Sequence, residues 1–108
     1  MPKNQKGTRR ERELLEFLSA RGFVVHRVAG SGVGQTAICD LVAVKKGKTS
    51  FIECKSRKKV YYTKSNLQQL NELVTVAKKA GAKPILAVKL NYQNWKLIDI
   101  SKKVPAKV

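Results

Sequence analysis

The stretch DLVAVKKGKTSFIECK, residues 40–55, places two apolar, β-branched runs on either side of Lys46-Gly47. A two-residue turn of this kind needs positive φ at its centre, which glycine supplies freely. ICDLVAV and TSFIECK are therefore predicted as the two strands of an antiparallel hairpin. If the turn is symmetric about Lys46 and Gly47, Lys45 faces Lys48, and counting outward sets Asp40 opposite Glu53 on one face. Side chains directly opposed in such a pair have Cβ atoms about 4.5–5.5 Å apart. Two carboxylates at that range repel each other, the more so as water is excluded. Either one of them keeps its proton or a cation sits between them. Lys55, two residues beyond Glu53, shares the face and could serve as a plain ion-pair partner.

Composition decides what that pair is for. The chain has 23 Lys and Arg against 7 Asp and Glu, a net charge of +16 over 108 residues. Carboxylates are scarce, and surface solubility does not require them. A polycation of this kind points to a polyanionic partner, nucleic acid or an anionic membrane surface. No apolar run approaches the roughly 20 residues of a membrane span, the N-terminus MPKNQKGTRR lacks a signal-peptide core, and neither helix has a bulky aromatic insertion face. An intracellular, cytoplasmic nucleic-acid protein is the expectation. A carboxylate pair would repel phosphate and so works against affinity. It suits Mg²⁺, which takes one or two carboxylates and completes its shell with water and substrate phosphate. Chemistry on a phosphodiester, with Lys55 at the same oxygens, follows from that combination.

The remaining elements fit one domain, residues 1–108. Residues 1–6 read as a basic arm and 101–108 (SKKVPAKV) as a basic tail. Leu14, Leu15 and Leu18 predict a helix over about 7–21 that Gly22 ends. FVVHRVA, 23–29, reads as a strand, GSGVGQTA, 30–37, as a flexible loop, and 56–64 as a basic connection. Ser65 and Gln68 suggest a capping box for a second helix over about 66–80, closed by Gly81. ILAVKL, apolar at every other position and between, predicts an interior strand, and WKLIDI a last one. The fold class expected is α/β: a single mixed five-stranded sheet flanked by helices, in the order α-β-β-β-α-β-β.

The spacing Asp-x12-Glu-x-Lys resembles the active-site signature of the restriction-endonuclease-like nucleases. KGTRRERELLEFLSARGF (6–23), HRVAGSG (26–32), DLVAV with IECK, and PILAVKL followed by Trp95 resemble, in order, the archaeal Holliday-junction resolvases. The resemblance implies homodimers that cut four-way DNA junctions by paired nicks with Mg²⁺, Mn²⁺ being a plausible substitute. It makes Glu11, Asp40 and Glu53 the metal carboxylates, Lys55 the catalytic lysine, Arg12 and Arg27 functional arginines, and Ser31 the serine of the glycine-rich loop. Two other readings compete: a nuclease of this fold acting on other branched or nicked DNA, and an architectural DNA-binding protein without catalysis. The architectural reading gives no reason for Asp40, Glu53 and Lys55 to share a face.

Each residue also has an ordinary structural explanation. Glu11 on the leucine stripe could complement the helix dipole. Arg9, Arg10, Arg12, Arg27, Arg57, Lys58 and Lys59 could be solvated basic surface instead of phosphate contacts, and Tyr62, beside Tyr61, a core anchor instead of a stacking platform. His26 in an apolar strand is expected in the core. Cys39 and Cys54 are expected as free, buried thiols opposite each other, on the face away from Asp40 and Glu53. Tyr92 and Trp95 are expected to pack in the core or at a subunit interface, with Val76 a further interface candidate.

Overall fold

The computed structural model describes residues 5–28 and 38–108. Eight elements follow in chain order: α1 (Gln5–Ser19), β1 (Val24–Arg27), β2 (Leu41–Lys45), β3 (Lys48–Arg57), a 3₁₀ turn (Thr63–Asn66), α2 (Leu67–Ala80), β4 (Lys83–Leu90) and β5 (Lys96–Asp99). The strands make one mixed sheet in the order β1-β2-β3-β4-β5, and only β3–β4 pair in parallel. A parallel neighbour needs a crossover, and α2 supplies it. This is the expected α/β architecture.

The hairpin register is the symmetric one. Leu41 pairs with Ile52 and Lys45 with Lys48. The turn residues Lys46 and Gly47 have φ of 50° and 79°, the twist-matched form that a two-residue loop requires.

Alternation along β3 and β4 feeds two cores. Ile52, Cys54, Ile85 and Ala87 pack with Leu14 and Leu18 of α1. Phe51, Leu86, Val88 and Leu90 pack with Leu70 and Leu73 of α2. Both faces of the central strands are thus covered, which is why PILAVKL is apolar on both. β1 at the sheet edge is mostly exposed, His26 included. The expectation of a core histidine fails because an edge strand with one neighbour offers little cover.

Three further differences have local causes. First, α1 starts at Gln5, so it takes in the end of the expected basic arm; residues 1–4 lie outside the described residues, as does the loop at 30–37. Second, the capping box does not form. The Ser65 hydroxyl bonds Asn66 Oδ1, which also accepts from the buried Tyr61 hydroxyl at 2.8 Å, and α2 is entered through the 3₁₀ turn. Gly81 closes α2 at φ 74° as expected.

Third, residues 105–108 are no loose tail. Tyr61 and Val108 exchange backbone hydrogen bonds at 2.9 and 2.8 Å. The Thr63 amide donates to the Ala106 carbonyl and its hydroxyl to that of Pro105. Val104 and Val108 pack on the α2-side core. In VPAKV the two valines and the proline carry this behaviour, and the lysines around them hide it.

Removing residues 105–108 is expected to destabilise the protein by about 3 kcal/mol, since it deletes several backbone bonds worth roughly 1 kcal/mol each and uncovers Tyr61. For a domain near 100 residues that is a fall in Tm of roughly 10–20 °C, read by differential scanning calorimetry.

Candidate active site

Asp40 and Glu53 come together where β2 begins and β3 passes through the middle of the sheet. The ladder slips at this point. The Asp40 amide donates to the Ile52 carbonyl at 2.9 Å, although Ile52 is paired with Leu41. Asp40 Oδ2 then accepts the Cys54 amide at 2.8 Å, which fixes the carboxylate against β3. The slip also ends the strand alternation before Cys39. Its thiol bonds the Leu41 carbonyl and lies in the α2-side core, while Cys54 packs on the α1 side. The two cysteines are therefore free, as expected, but on opposite sides of the sheet instead of facing each other.

Glu53 is 3% exposed. Burial, followed by the charge of Asp40, pushes its carboxyl up to about 8; Lys55 opposes the shift. The two carboxyls are thus near enough for the charge of Asp40 to act on Glu53, although the slip takes Asp40 out of the directly opposed ladder position that the symmetric register predicted. Lys55 Nζ lies 3.4 Å from Glu53 Oε2 and 3.5 Å from Gln69 Oε1 in the first turn of α2. Burial likewise raises the thiols, Cys39 to about 11 and Cys54 further, which keeps both from acting as nucleophiles near neutral pH.

Glu11 is buried on α1 on the same stripe as Leu14 and Leu18. Its Oε1 accepts from Arg27 Nε at 3.2 Å and Nη2 at 3.1 Å. That pair bridges α1 to β1. Glu11 and Asp40 both act electrostatically on Cys54, so all three carboxylates surround that residue. Among the described residues, however, no three of the His, Cys, Asp and Glu side chains form a ready metal-ligand group. Asp40 and Glu53 are joined, and Glu11 is turned to Arg27.

The other candidates separate clearly. Arg9 and Arg12 are exposed, one turn apart on α1. Arg10 is half-buried and ties α1 to β3 through Ser56 Oγ at 3.2 Å, with Glu13 at 2.8 Å on its other side. Arg57, Lys58, Lys59 and Tyr62 are exposed. Arg57 lies over the ring of Tyr61, 5.0 Å from its centroid. Of the two tyrosines, Tyr61 is the core anchor and Tyr62 points outward. Ser31 lies outside the described residues. Trp95 packs on the α1-side core, whereas Tyr92, at φ 63°, is fully exposed, contrary to a core position. Gln69 is the one polar neighbour of the site that the sequence reading missed. Its signal, a glutamine in the first turn of the helix after Glu-x-Lys, needs the helix packing to be recognised.

The archaeal Holliday junction resolvase (Hjc) family matches residues 2–106. The chain is 39% identical over 95 residues to the crossover junction endodeoxyribonuclease Hjc of Archaeoglobus fulgidus, covering 88% of this chain and 69% of that one. It is 40% identical over 90 residues to the Methanocaldococcus jannaschii protein of the same name, covering 82% and 62%. The fold superposes on the structure of Archaeoglobus fulgidus Hjc, a Holliday junction resolvase, with a TM-score of 0.75 at 37% identity, covering 85% of this chain and 74% of the other. The chain therefore spans about two thirds of the length of these curated relatives.

The proton held by Glu53 gives a testable pH dependence. Its folded pKa, about 8, lies above the ordinary glutamate value of 4.5. Between those values the native state binds more protons than the unfolded one, so stability falls as pH rises. In divalent-free buffer the Tm is expected to drop between pH 5 and pH 8 by an amount equivalent to a few kcal/mol. Asp40→Asn keeps an oxygen for the Cys54 amide and removes the like charge but not the burial, so it is expected to lessen that fall in part; thermal melts of both proteins across the range check this.

Proposed function

The chain belongs to the archaeal Holliday junction resolvase family, and on that premise we propose that it is a divalent-metal-dependent endodeoxyribonuclease that resolves four-way DNA junctions. The observation that carries the reading is the buried Glu53 beside the half-buried Asp40, a carboxyl whose pKa is raised by burial and then by the neighbouring negative charge inside a chain of net charge +16. A divalent cation fits that donor set: two adjoining carboxylates, with phosphate and water to complete an oxygen shell. Mg²⁺ is the natural occupant and Mn²⁺ a substitute. When bound, the ion would supply Lewis-acid polarisation and charge neutralisation at a scissile phosphodiester.

The protein's own groups perform the rest. The Cys54 amide holds Asp40 in place, and Glu53 gives up its proton to become the second anionic donor. Lys55, leaning between Glu53 and Gln69, presents an ammonium to the charge that develops on the phosphate. Arg27, whose Nε and Nη2 both donate to Glu11 Oε1, is poised as a phosphate clamp; Glu11 serves through that arginine and could add a further carboxylate beside a bound ion. Exposed Arg9, Arg12, Arg57, Lys58, Lys59 and Tyr62 would hold the backbone. No base-reading motif accompanies them, so recognition rests on the shape of the junction.

Paired nicks at symmetric positions need two sites related by a two-fold axis, so the working form is a homodimer. Tyr92 and Leu97, exposed apolar residues on the β4–β5 turn and on β5, are the candidate contact. Leu97→Glu with Tyr92→Ala is expected to halve the mass seen by light scattering and to replace paired cuts by unpaired nicks.

The enzymatic reading is tested with Mg²⁺ and either a synthetic four-way junction or a linear duplex of the same sequence. Paired nicks in the junction alone support it; equal cutting of the duplex makes the chain a nuclease of other substrates. Asp40→Asn is expected to lower cleavage by at least about 10³-fold and Lys55→Ala by about 10²–10³-fold, with junction binding retained. Loss of binding together with activity in Asp40→Asn would remove that carboxylate from the chemistry.

A further inference from the structure

The opposite end of the sheet carries a second feature. A groove of about 840 Å³ wraps the β2–β3 turn and reaches the C-terminal end of α2 and the start of β4. Five lysines line it, Lys45, Lys46, Lys48, Lys78 and Lys83, against a single carboxylate, Asp99. Four of the five are exposed and Lys45 half-exposed.

Ordinary explanations cover only part of this set. Lys78 lies in the last turn of α2, where it complements the helix dipole. Lys45 Nζ rests 5.3 Å from the centroid of the Phe23 ring. Asp99 already accepts the Ser101 amide at 2.8 Å, and although Lys83 lowers its pKa, that contribution is smaller than the hydrogen bonding. Ion pairs among the described residues are Arg10–Glu13, Arg27–Glu11 and Lys55–Glu53, and none uses a groove lysine. Lys46, Lys48 and Lys83 therefore crowd like charges into a concave surface with no structural return. Self-repulsion of that kind is relieved by an anion.

The type of donor identifies the anion. Lysines are mobile point charges without the fixed fork of arginine. Spread around the end of a sheet, they suit a long polyanion held by charge and not a small one held by geometry. β3 joins the groove directly to the site: from Lys48 to Glu53 is five residues and to Lys55 seven, about 16–23 Å at roughly 3.3 Å per residue. At 3.4 Å of rise per base pair that is the length of about five to seven base pairs. We propose that this groove is a second DNA-backbone contact, which holds a duplex arm of the substrate while the same arm passes the carboxylates.

The proposal rests on reading the partner as DNA, but its test does not depend on cleavage. Lys46→Asn, Lys48→Gln and Lys83→Gln are combined in one variant; asparagine tolerates the positive φ of residue 46. A second variant removes three exposed lysines outside the groove, Lys96, Lys103 and Lys107, each to Gln. Binding of a labelled four-way junction is measured by fluorescence anisotropy without divalent metal over a NaCl series, after circular dichroism has shown both variants folded. Each lost phosphate contact lowers the slope of log K against log[NaCl] by about 0.9. The groove variant is expected to lose about two to three units of slope and at least tenfold in affinity near 0.1 M salt. The comparison variant is expected to lose less than half as much slope. Equal losses in the two variants would reduce the effect to overall charge and overturn the proposal, and so would an unchanged slope in the groove variant, which would leave the lysines to some other anion. If the wild-type protein bound but did not cut junctions, the enzymatic reading would fall and the groove measurement would still stand.

Discussion

A buried carboxyl, Glu53, set beside the half-buried Asp40 governs this structure. The Lys46-Gly47 turn fixes the hairpin register as far as Leu41 and Ile52, and the slip that follows brings Asp40 onto β3 beside Glu53. Packing by α1 and α2 on the two faces then withdraws water from Glu53. The hairpin, the two cores and the pair are thus one arrangement. A shift of a single residue in the register would send Glu53 to the other side of the pleat, into the leucines of α1, and leave Asp40 without its neighbour. The slip at Asp40 completes the geometry, since it lets the Cys54 amide hold the aspartate side chain in place of a ladder bond.

Holding Glu53 in place takes more than the hairpin. β3 is the central strand, paired on one side to β2 and on the other to β4, so the backbone bearing Glu53 and Lys55 sits in the middle of the sheet. The segment that follows, from Arg57 to Thr63, is secured by Tyr61 in the α2-side core and by the strand-like contact with residues 105–108. That contact sets Tyr61 inward and Tyr62 outward. It also steadies the exposed Arg57, Lys58 and Lys59 at the end of the strand that carries the site, without burying their charge.

How far these features could be read from sequence follows from how local each one is. The hairpin, its register, the helix ends at Gly22 and Gly81 and the doubly apolar β4 depend on neighbours a few residues apart, and all were legible. The failures involve distant partners. His26 looked internal because its strand is apolar, yet whether a strand lies at the edge is settled by strand order. Cys39 was assigned to a face by alternation, which lapses one residue before Leu41. SKKVPAKV looked like a tail because its lysines are conspicuous and its partner, Tyr61, is more than 40 residues away. In the site, the closeness of Asp40, Glu53 and Lys55 was legible, whereas the engagement of Glu11 by Arg27 and the approach of Gln69 to Lys55 needed the packing of α1 and α2.

The division between arginine and lysine carries the argument a step further. Arginines near the site are committed within the protein: Arg10 to Ser56 and Glu13, Arg27 to Glu11, Arg57 over Tyr61. A planar fork held in this way presents its remaining N–H groups in a fixed direction, which is what positioning a phosphate demands. The lysines beyond the site are mostly exposed and make no ion pairs among the described residues. They add attraction that fades with salt and ignores sequence. Recognition of a branched DNA without base reading needs both kinds of contact. On the proposed function, long-range charge would gather any duplex, and only a backbone that bends past the fixed arginines would bring a phosphodiester to Asp40 and Glu53.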